Sequence, residues 1–260
     1  SGALDAPALR LANRLLGNAE SAAGIEAPLG GITLRAEASC TVAVTGAAAP
    51  ITCAGRAADA ATPLHLAAGE VLALGTATRG MRCYIGISGG IAEQEVLGSR
   101  SRDTLSALGP DELTAGRLLP LGSPGTPSGV DVGVQQAIPA ELVLPILLGP
   151  RHEWFAAPAE ALQRARYVTT EQADRVGIRL HGPRLARIPA AQRRELPSEA
   201  LITGAVQVPA DGLPLIFLAD HPSTGGYPVV GVIDPALLPA LGQARPGTPL
   251  RFRIADQRTQ

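Results

Sequence analysis

The chain has 260 residues, of which 46% are hydrophobic and 17% charged, and its formal net charge is −1. That length and composition allow two domains of ordinary size with substantial cores. The near-neutral charge gives nucleic acid or an anionic membrane nothing to attract, and no apolar run reaches the ~20 residues that span a bilayer.

Residues 5–18 read as a helix. Asp5 is a suitable N-cap, Pro7 fits the first turn, Gly17-Asn18 ends the run, and Leu9, Ala12 and Leu16 share a face. From Ile25 the texture changes to short strand-like runs at 32–36, 41–45, 71–74 and 81–88. Gly, Pro and Ala-rich turns separate them, the pattern of an antiparallel sandwich or barrel. Along 81–88, Cys83, Ile85 and Ile87 face one way. Arg82, Tyr84, Gly86 and Ser88 face the other, a small and polar face expected to border a cleft.

Residues 120–133 are rich in Gly, Pro and Ser and read as a linker, placing a first unit at 1–125 and a second at 126–260. The second opens with an apolar run at 142–148, where Pro145 predicts an edge strand or a bulge. A short helix is expected at 158–164. Thr169 and Gln172 have capping-box spacing and predict a helical turn after residues 167–170. Residues 184–197 read as a basic loop. Three apolar runs follow: 201–208, alternating loosely with Ile202, Val206 and Val208 on one face, then 215–219 and 229–233. Between the last two lie Asp220, His221, Ser223, Thr224 and Gly225-Gly226. Glycines there suit either a close backbone approach or a positive φ.

Several chemistries are excluded. GISGG at 86–90 lacks the spacing and the following acid of a dinucleotide fingerprint. His65, His152, His181 and His221 are scattered, so no metal is expected; only His221, beside Asp220 and the glycines, invites a functional role. Cys40, Cys53 and Cys83 are an odd number without metal-ligand spacing and read as free thiols of a reducing, cytoplasmic compartment. There is no lysine; all 22 basic residues are arginine. Anion binding must therefore use guanidinium forks or backbone amides, and the loop GSRSRD at 98–103 is one candidate through Ser99, Arg100 and Arg102.

The motifs SGALD, LANRLLGNAE, RCYIGISGG, VLGSRSRDTL, LGPRHEWF, DRVGIRLHG, GAVQVP, TGGYP and LGQARPG follow one another along nearly the whole chain. In that series the chain resembles the biotin-dependent carboxyltransferase family, also called allophanate hydrolase subunit 2, nearest the branch that serves 5-oxoprolinases. Family members carry a Gln-Asp…Gly-Arg segment ahead of SGALD. That segment does not precede Ser1 here, so any site residue it supplies is expected to be missing.

The resemblance implies a mainly β fold of two cyclophilin-like β-barrel subdomains with a few short helices. It implies one component, the C subunit, of an ATP-dependent complex that opens 5-oxoproline to L-glutamate. The B subunit, similar to allophanate hydrolase subunit 1, would be its partner, and the A subunit, where present, the third component. ATP with magnesium would be shared with the partner. The alternatives it implies are a carboxyltransferase acting on urea, with biotin carried on another chain, and a non-catalytic antagonist of a kinase inhibitor. Both amide substrates are small and planar, and need a donor for the C=O and an acceptor for the N–H. On that basis Asp220 and Gln207 are the expected catalytic residues. Thr224, Gly225, Gly226, Tyr227, Arg179, Ser99 and Arg100 are expected to bind substrate. Arg175 is the next candidate, with a salt bridge to Asp174 as its structural alternative.

Overall fold

The structure is a computed structural model that describes residues 1–126, 129–192 and 194–255. The chain is mainly β and forms two compact units. The first holds Ser1–Asp103 and Ala107–Ile138, the second Thr104–Ser106 and Pro139–Gln260. The division thus falls after Ile138, and not after residue 125. The described residues of the expected linker, 120–126 and 129–133, belong to the first unit, where Ala92 N donates to Pro120 O and Gly133 N to Ala61 O, while 127–128 lie outside the described residues. No helix among the described residues is long and apolar enough to cross a membrane.

In the first unit the helix α1 (Ala6–Leu15) begins where its sequence signals place it. The Asp5 carboxylate accepts from Ala8 N at 3.1 Å, and Pro7 sits in the first turn. Eight strands follow: β1 (Ile25–Pro28), β2 (Thr33–Arg35), β3 (Cys40–Ala48), β4 (Ile51–Cys53), β5 (Arg56–Ala58), β6 (Leu64–Leu66), β7 (Val71–Leu74) and β8 (Arg79–Ile87). They form two four-stranded sheets, ordered β1-β8-β3-β6 and β2-β7-β4-β5. Among the described residues the first unit thus holds two four-stranded sheets and the second a closed barrel. Val42, Val44, Leu72, Leu74, Ile85 and Ile87 fill the core of the first.

α1 packs onto the small polar face of residues 82–88 at Tyr84 and Gly86. A Cβ at Gly86 would lie 3.0 Å from Ala12 Cβ, so the missing side chain is what lets the helix sit down. Tyr84 is fully buried; its hydroxyl donates to Glu26 Oε2 and accepts from Asp5 N, both at 2.8 Å. Burial first, and Glu26 second, push that phenol far above its ordinary pKa. Asn13 and Asn18 hold the other end of the helix. Asn13 donates to the carbonyls of Glu20 and Ala22, and Asn18 joins Asn13 Oδ1 to Ile87 O.

All three cysteines are free, Cys83 buried and the others partly so. Burial pushes the Cys83 thiol up to about 11. The thiolate is the reactive form, so at neutral pH alkylation of folded protein is expected to reach Cys83 about tenfold or more slowly than Cys53. Since its folded pKa is raised, Cys83 leaves stability intact below the ordinary thiol value and erodes it as pH climbs toward about 11. Time-resolved alkylation with mass spectrometry checks the rates, and a disulfide found without reductant would refute the free-thiol assignment.

The second unit has nine strands: β9 (Leu142–Leu148), β10 (Tyr167–Ala173), β11 (Gly177–His181), β12 (Glu199–Ala200), β13 (Ala205–Gln207), β14 (Leu215–Phe217), β15 (Thr224–Gly225), β16 (Val229–Ile233) and β17 (Pro249–Ile254). Seven close into a barrel, β10-β11-β14-β13-β16-β9-β17; β12 and β15 pair apart from it. The helices α2 (Pro158–Arg164) and α3 (Leu238–Gly242) complete the unit. Leu144, Ile146, Ile178, Leu180, Val206 and Ile216 are buried in its core.

Three local expectations change here. Pro145 is on no edge, because a closed barrel has none. It lies one residue beyond the last β16 pair, Ile146 with Ile233, so no ladder bond to β16 is lost. The capping box at Thr169 caps nothing: residues 167–173 are strand, and Thr169 is buried, bonding Arg245 O and Thr248 N. The run at 201–208 breaks at Gly204, whose φ of +85° ends the extended path. Ile202 consequently turns outward, 57% exposed, while Val206 is buried.

Candidate functional site

Residues 223–227 form a polar ledge beside the barrel of the second unit. Ser223, Thr224, Gly226 and Tyr227 are exposed. The backbone beneath them is tied down at intervals. Ser223 O accepts from Leu201 N at 2.9 Å, and β15 pairs antiparallel with β12, Glu199 opposite Gly225 and Ala200 opposite Thr224. Tyr227 O accepts from Gln207 Nε2 at 2.9 Å, and Pro228 O from Val208 N at 3.0 Å. Gln207 is only 3% exposed. Its amide therefore grips the ledge from below, and is not displayed on it.

Gly225 is needed for close approach. A Cβ there would lie 2.8 Å from Gln207 Nε2 and 2.8 Å from Leu201 Cδ1. Neither Gly225 nor Gly226 has a φ in the left-handed region, so of the two expected uses of these glycines only the close approach applies. The Thr224 hydroxyl makes no hydrogen bond among the described residues and faces outward. β12 is flanked by Arg151, whose Nε lies 3.1 Å from Glu199 Oε1. Arg151 beside Glu199 keeps that carboxyl below its usual range.

Asp220 is fully buried, with 0% exposure. Arg175 grips it with both arms of its guanidinium, at 2.9 Å to Oδ2 and 3.1 Å to Oδ1. Thr104 donates its backbone N–H and its hydroxyl to Oδ2, each at 2.9 Å. A carboxylate held by four donors is an anchor for the Thr104–Ser106 segment. Asp174, the expected partner of Arg175, instead closes a turn by accepting from Val176 N and Gly177 N.

The other expected site residues lie elsewhere. Arg179, on β11, faces Asp211 at 3.6 Å. Ser99 and Arg100 belong to the first unit. There Ser99 Oγ accepts from Ser101 N, and Arg100 binds Glu95 at 2.7 Å and donates to Glu93 O. Arg102 donates to Pro110 O. The GSRSRD loop thus satisfies its own arginines. His221 bonds the carbonyl of Pro222 and leans on Phe217. Among the described residues no group of three or more His, Cys, Asp or Glu side chains could hold a metal. Thr104 and Glu199 were not singled out in the sequence, since an isolated Thr or Glu carries no pattern.

The family model described as carboxyltransferase domain, subdomain A and B, matches residues 1–254, and the chain belongs to that family. It is 36% identical over 255 residues to the 5-oxoprolinase C subunit of Escherichia coli K12, covering 96% of this chain and 81% of that protein. Against urea amidolyase of Saccharomyces cerevisiae it is 30% identical over 276 residues, covering 97% of this chain and 15% of that protein. The crystal structure of the Kluyveromyces lactis urea carboxylase superposes with a TM-score of 0.88 at 25% identity, over 98% of this chain and 25% of that one. A further solved structure gives a TM-score of 0.87 at 35% identity, and there the chain spans about half, 49%, of its counterpart.

Proposed function

We propose that this chain is the C subunit of an ATP-dependent 5-oxoprolinase, working with a B subunit to open 5-oxoproline to L-glutamate. The observation that carries this reading is the similarity to the 5-oxoprolinase C subunit over 96% of the chain. Amide resonance makes the lactam carbon a poor electrophile. Transfer of the γ-phosphoryl group of ATP to the lactam oxygen, with departure of ADP, exposes that carbon to water. The chain has no lysine and no phosphate loop, so most of the nucleotide site and its magnesium fall to the partner. The ledge contributes Thr224 and backbone groups near Gly226 and Tyr227 as donors to the developing oxyanion. Gln207 and Asp220 act as positioning residues, Gln207 by gripping the Tyr227 carbonyl and Asp220 by fixing Thr104. A second reading, carboxyl transfer to urea, has the fungal urea amidolyase similarity in its favour; biotin would then arrive on another chain.

The isolated chain is expected to hydrolyse neither ATP nor 5-oxoproline. Co-expressed with a B subunit, it is expected to form a stable complex whose ATPase responds to 5-oxoproline and not to urea. A response to urea alone would favour the second reading. Robust 5-oxoproline-dependent ATPase from the chain by itself would refute the shared site.

A further inference from the structure

Most arginines of the second unit that approach its interior meet a carboxylate: Arg151 meets Glu199, Arg175 meets Asp220 and Arg251 meets Glu141. Arg187 does not. Its Nε is enclosed and has no hydrogen-bond partner, and Nη2 reaches only Val208 O at 3.5 Å. No carboxylate approaches it among the described residues. Other uncompensated arginines, such as Arg184 and Arg253, are exposed and solvated by water. A partly enclosed guanidinium without a counter-charge is costly, and such groups ordinarily have a partner.

The position of Arg187 says what the partner would be. Val208 N donates to Pro228 O, but Pro228 has no N–H to return the ladder bond, and the Arg187 guanidinium stands at the Val208 carbonyl so left over. Gln207 and Tyr227, each one residue earlier in the chain, make the grip that fixes the ledge. The uncompensated positive charge is therefore beside the ledge and one residue from its anchor. Arg187 forms an isolated bridge with Phe155, the next residue Ile188 donates its N–H to Trp154 O, and Arg194 lies over the Trp154 ring at 5.0 Å. Arg194 is exposed, as Arg184 and Arg253 are, so among the described residues the enclosed guanidinium of this flank is that of Arg187 alone.

We infer that Arg187 is a specificity-determining residue that binds the carboxylate of an acidic amide on the ledge. Its guanidinium fork provides paired N–H donors and a charge, which match a carboxylate and give a neutral amide nothing equivalent. This rests on the 5-oxoprolinase reading and sharpens it: 5-oxoproline is an anion, whereas urea is neutral.

The test compares 5-oxoproline with 2-pyrrolidinone, the same lactam without its carboxylate. In the complex with a B subunit, Arg187→Gln is expected to raise KM for 5-oxoproline about tenfold or more, with a smaller change in kcat, since a lost ionic contact to the substrate's remote group weakens ground and transition states alike. Arg187→Lys, which keeps the charge and loses the fork, is expected to fall between. Calorimetric binding to the chain, alone and in complex, supplies a readout independent of turnover. Wild type should prefer 5-oxoproline to 2-pyrrolidinone, and Arg187→Gln should abolish that preference while the neutral lactam binds as before. Equal loss of both ligands would reduce Arg187 to a structural donor for Val208 O and overturn the inference, as would an unchanged preference. A normal KM for 5-oxoproline in both variants overturns the Arg187 assignment alone. Wild type that neither binds nor turns over 5-oxoproline overturns the assignment together with the function beneath it.

Discussion

Asp220→Ala is expected to destabilise the second unit by about 3–5 kcal/mol, the range for breaking a buried ion pair from one side. The carboxylate is entirely buried and takes both arms of Arg175, whose side chain is only 18% exposed. It also takes two donors of Thr104, so the substitution removes one side of an ion pair and the acceptor of two polar groups at once. Asp220→Asn should cost less, because the amide oxygen still accepts while its NH2 opposes a donor. Replacing Asp220 and Arg175 together by apolar residues should cost less than the sum of the single changes. Urea unfolding of these variants beside wild type measures the differences. Limited trypsin digestion adds a local readout, with faster cleavage after Arg102 expected once Thr104 loses its anchor. A loss below about 1 kcal/mol for Asp220→Ala would place the pair among ordinary surface bridges and refute the anchoring role.

Gly226→Ala and Thr224→Val are expected to leave the fold and the complex intact while lowering turnover by about tenfold or more, equivalent to ~1.4 kcal/mol in the barrier. The stability half of this follows from geometry. A Cβ at Gly226 meets nothing closer than Leu196 O at 3.4 Å, and its φ is one that alanine adopts. Thr224 is exposed, and valine keeps its shape. The activity half follows from placement. A methyl at residue 226 stands on the exposed face of the ledge, and valine removes a hydroxyl that is not used within the fold. A single oxyanion donor is worth about 2.7–4 kcal/mol in systems where it was deleted. Gly225→Ala is the contrasting control, since its Cβ would press on Gln207 Nε2 and Leu201; it should lose stability as well as activity. Circular dichroism, gel filtration and coupled ATPase measurements on the same preparations separate the two effects. Full turnover by assembled Gly226→Ala and Thr224→Val complexes would remove the ledge from the reaction.

The candidate site was legible only in outline. The pairing of Gln207 and Asp220 with a glycine-rich turn drew attention to residues 207–227, and the ledge is there. Their roles were not legible. Sequence places a glutamine and an aspartate near glycines, but which way each side chain points depends on partners far along the chain. Thr104, 116 residues before Asp220, supplies two of that carboxylate's donors. Arg187 and Val208, 21 residues apart, meet only because the fold brings their segments together. Arg100 looked available in GSRSRD, and the Glu93 carbonyl and the Glu95 carboxylate, a few residues ahead of that loop, engage it.

By itself the sequence determined what depends on near neighbours in the chain. Asp5 and Pro7 start α1, most of the apolar runs become strands, and the ordered motifs place the chain in its family. These are decided by local backbone preference and by the alternation of apolar residues, which act over a few bonds. Tertiary structure decided the rest. It closed a barrel around Pro145, made Thr169 a strand residue, turned Ile202 outward, buried Asp220 under four donors and left Arg187 without a carboxylate among the described residues. Each of those outcomes is set by hydrogen bonds and charges brought together across long stretches of chain, and such meetings follow from the closure of the whole sheet.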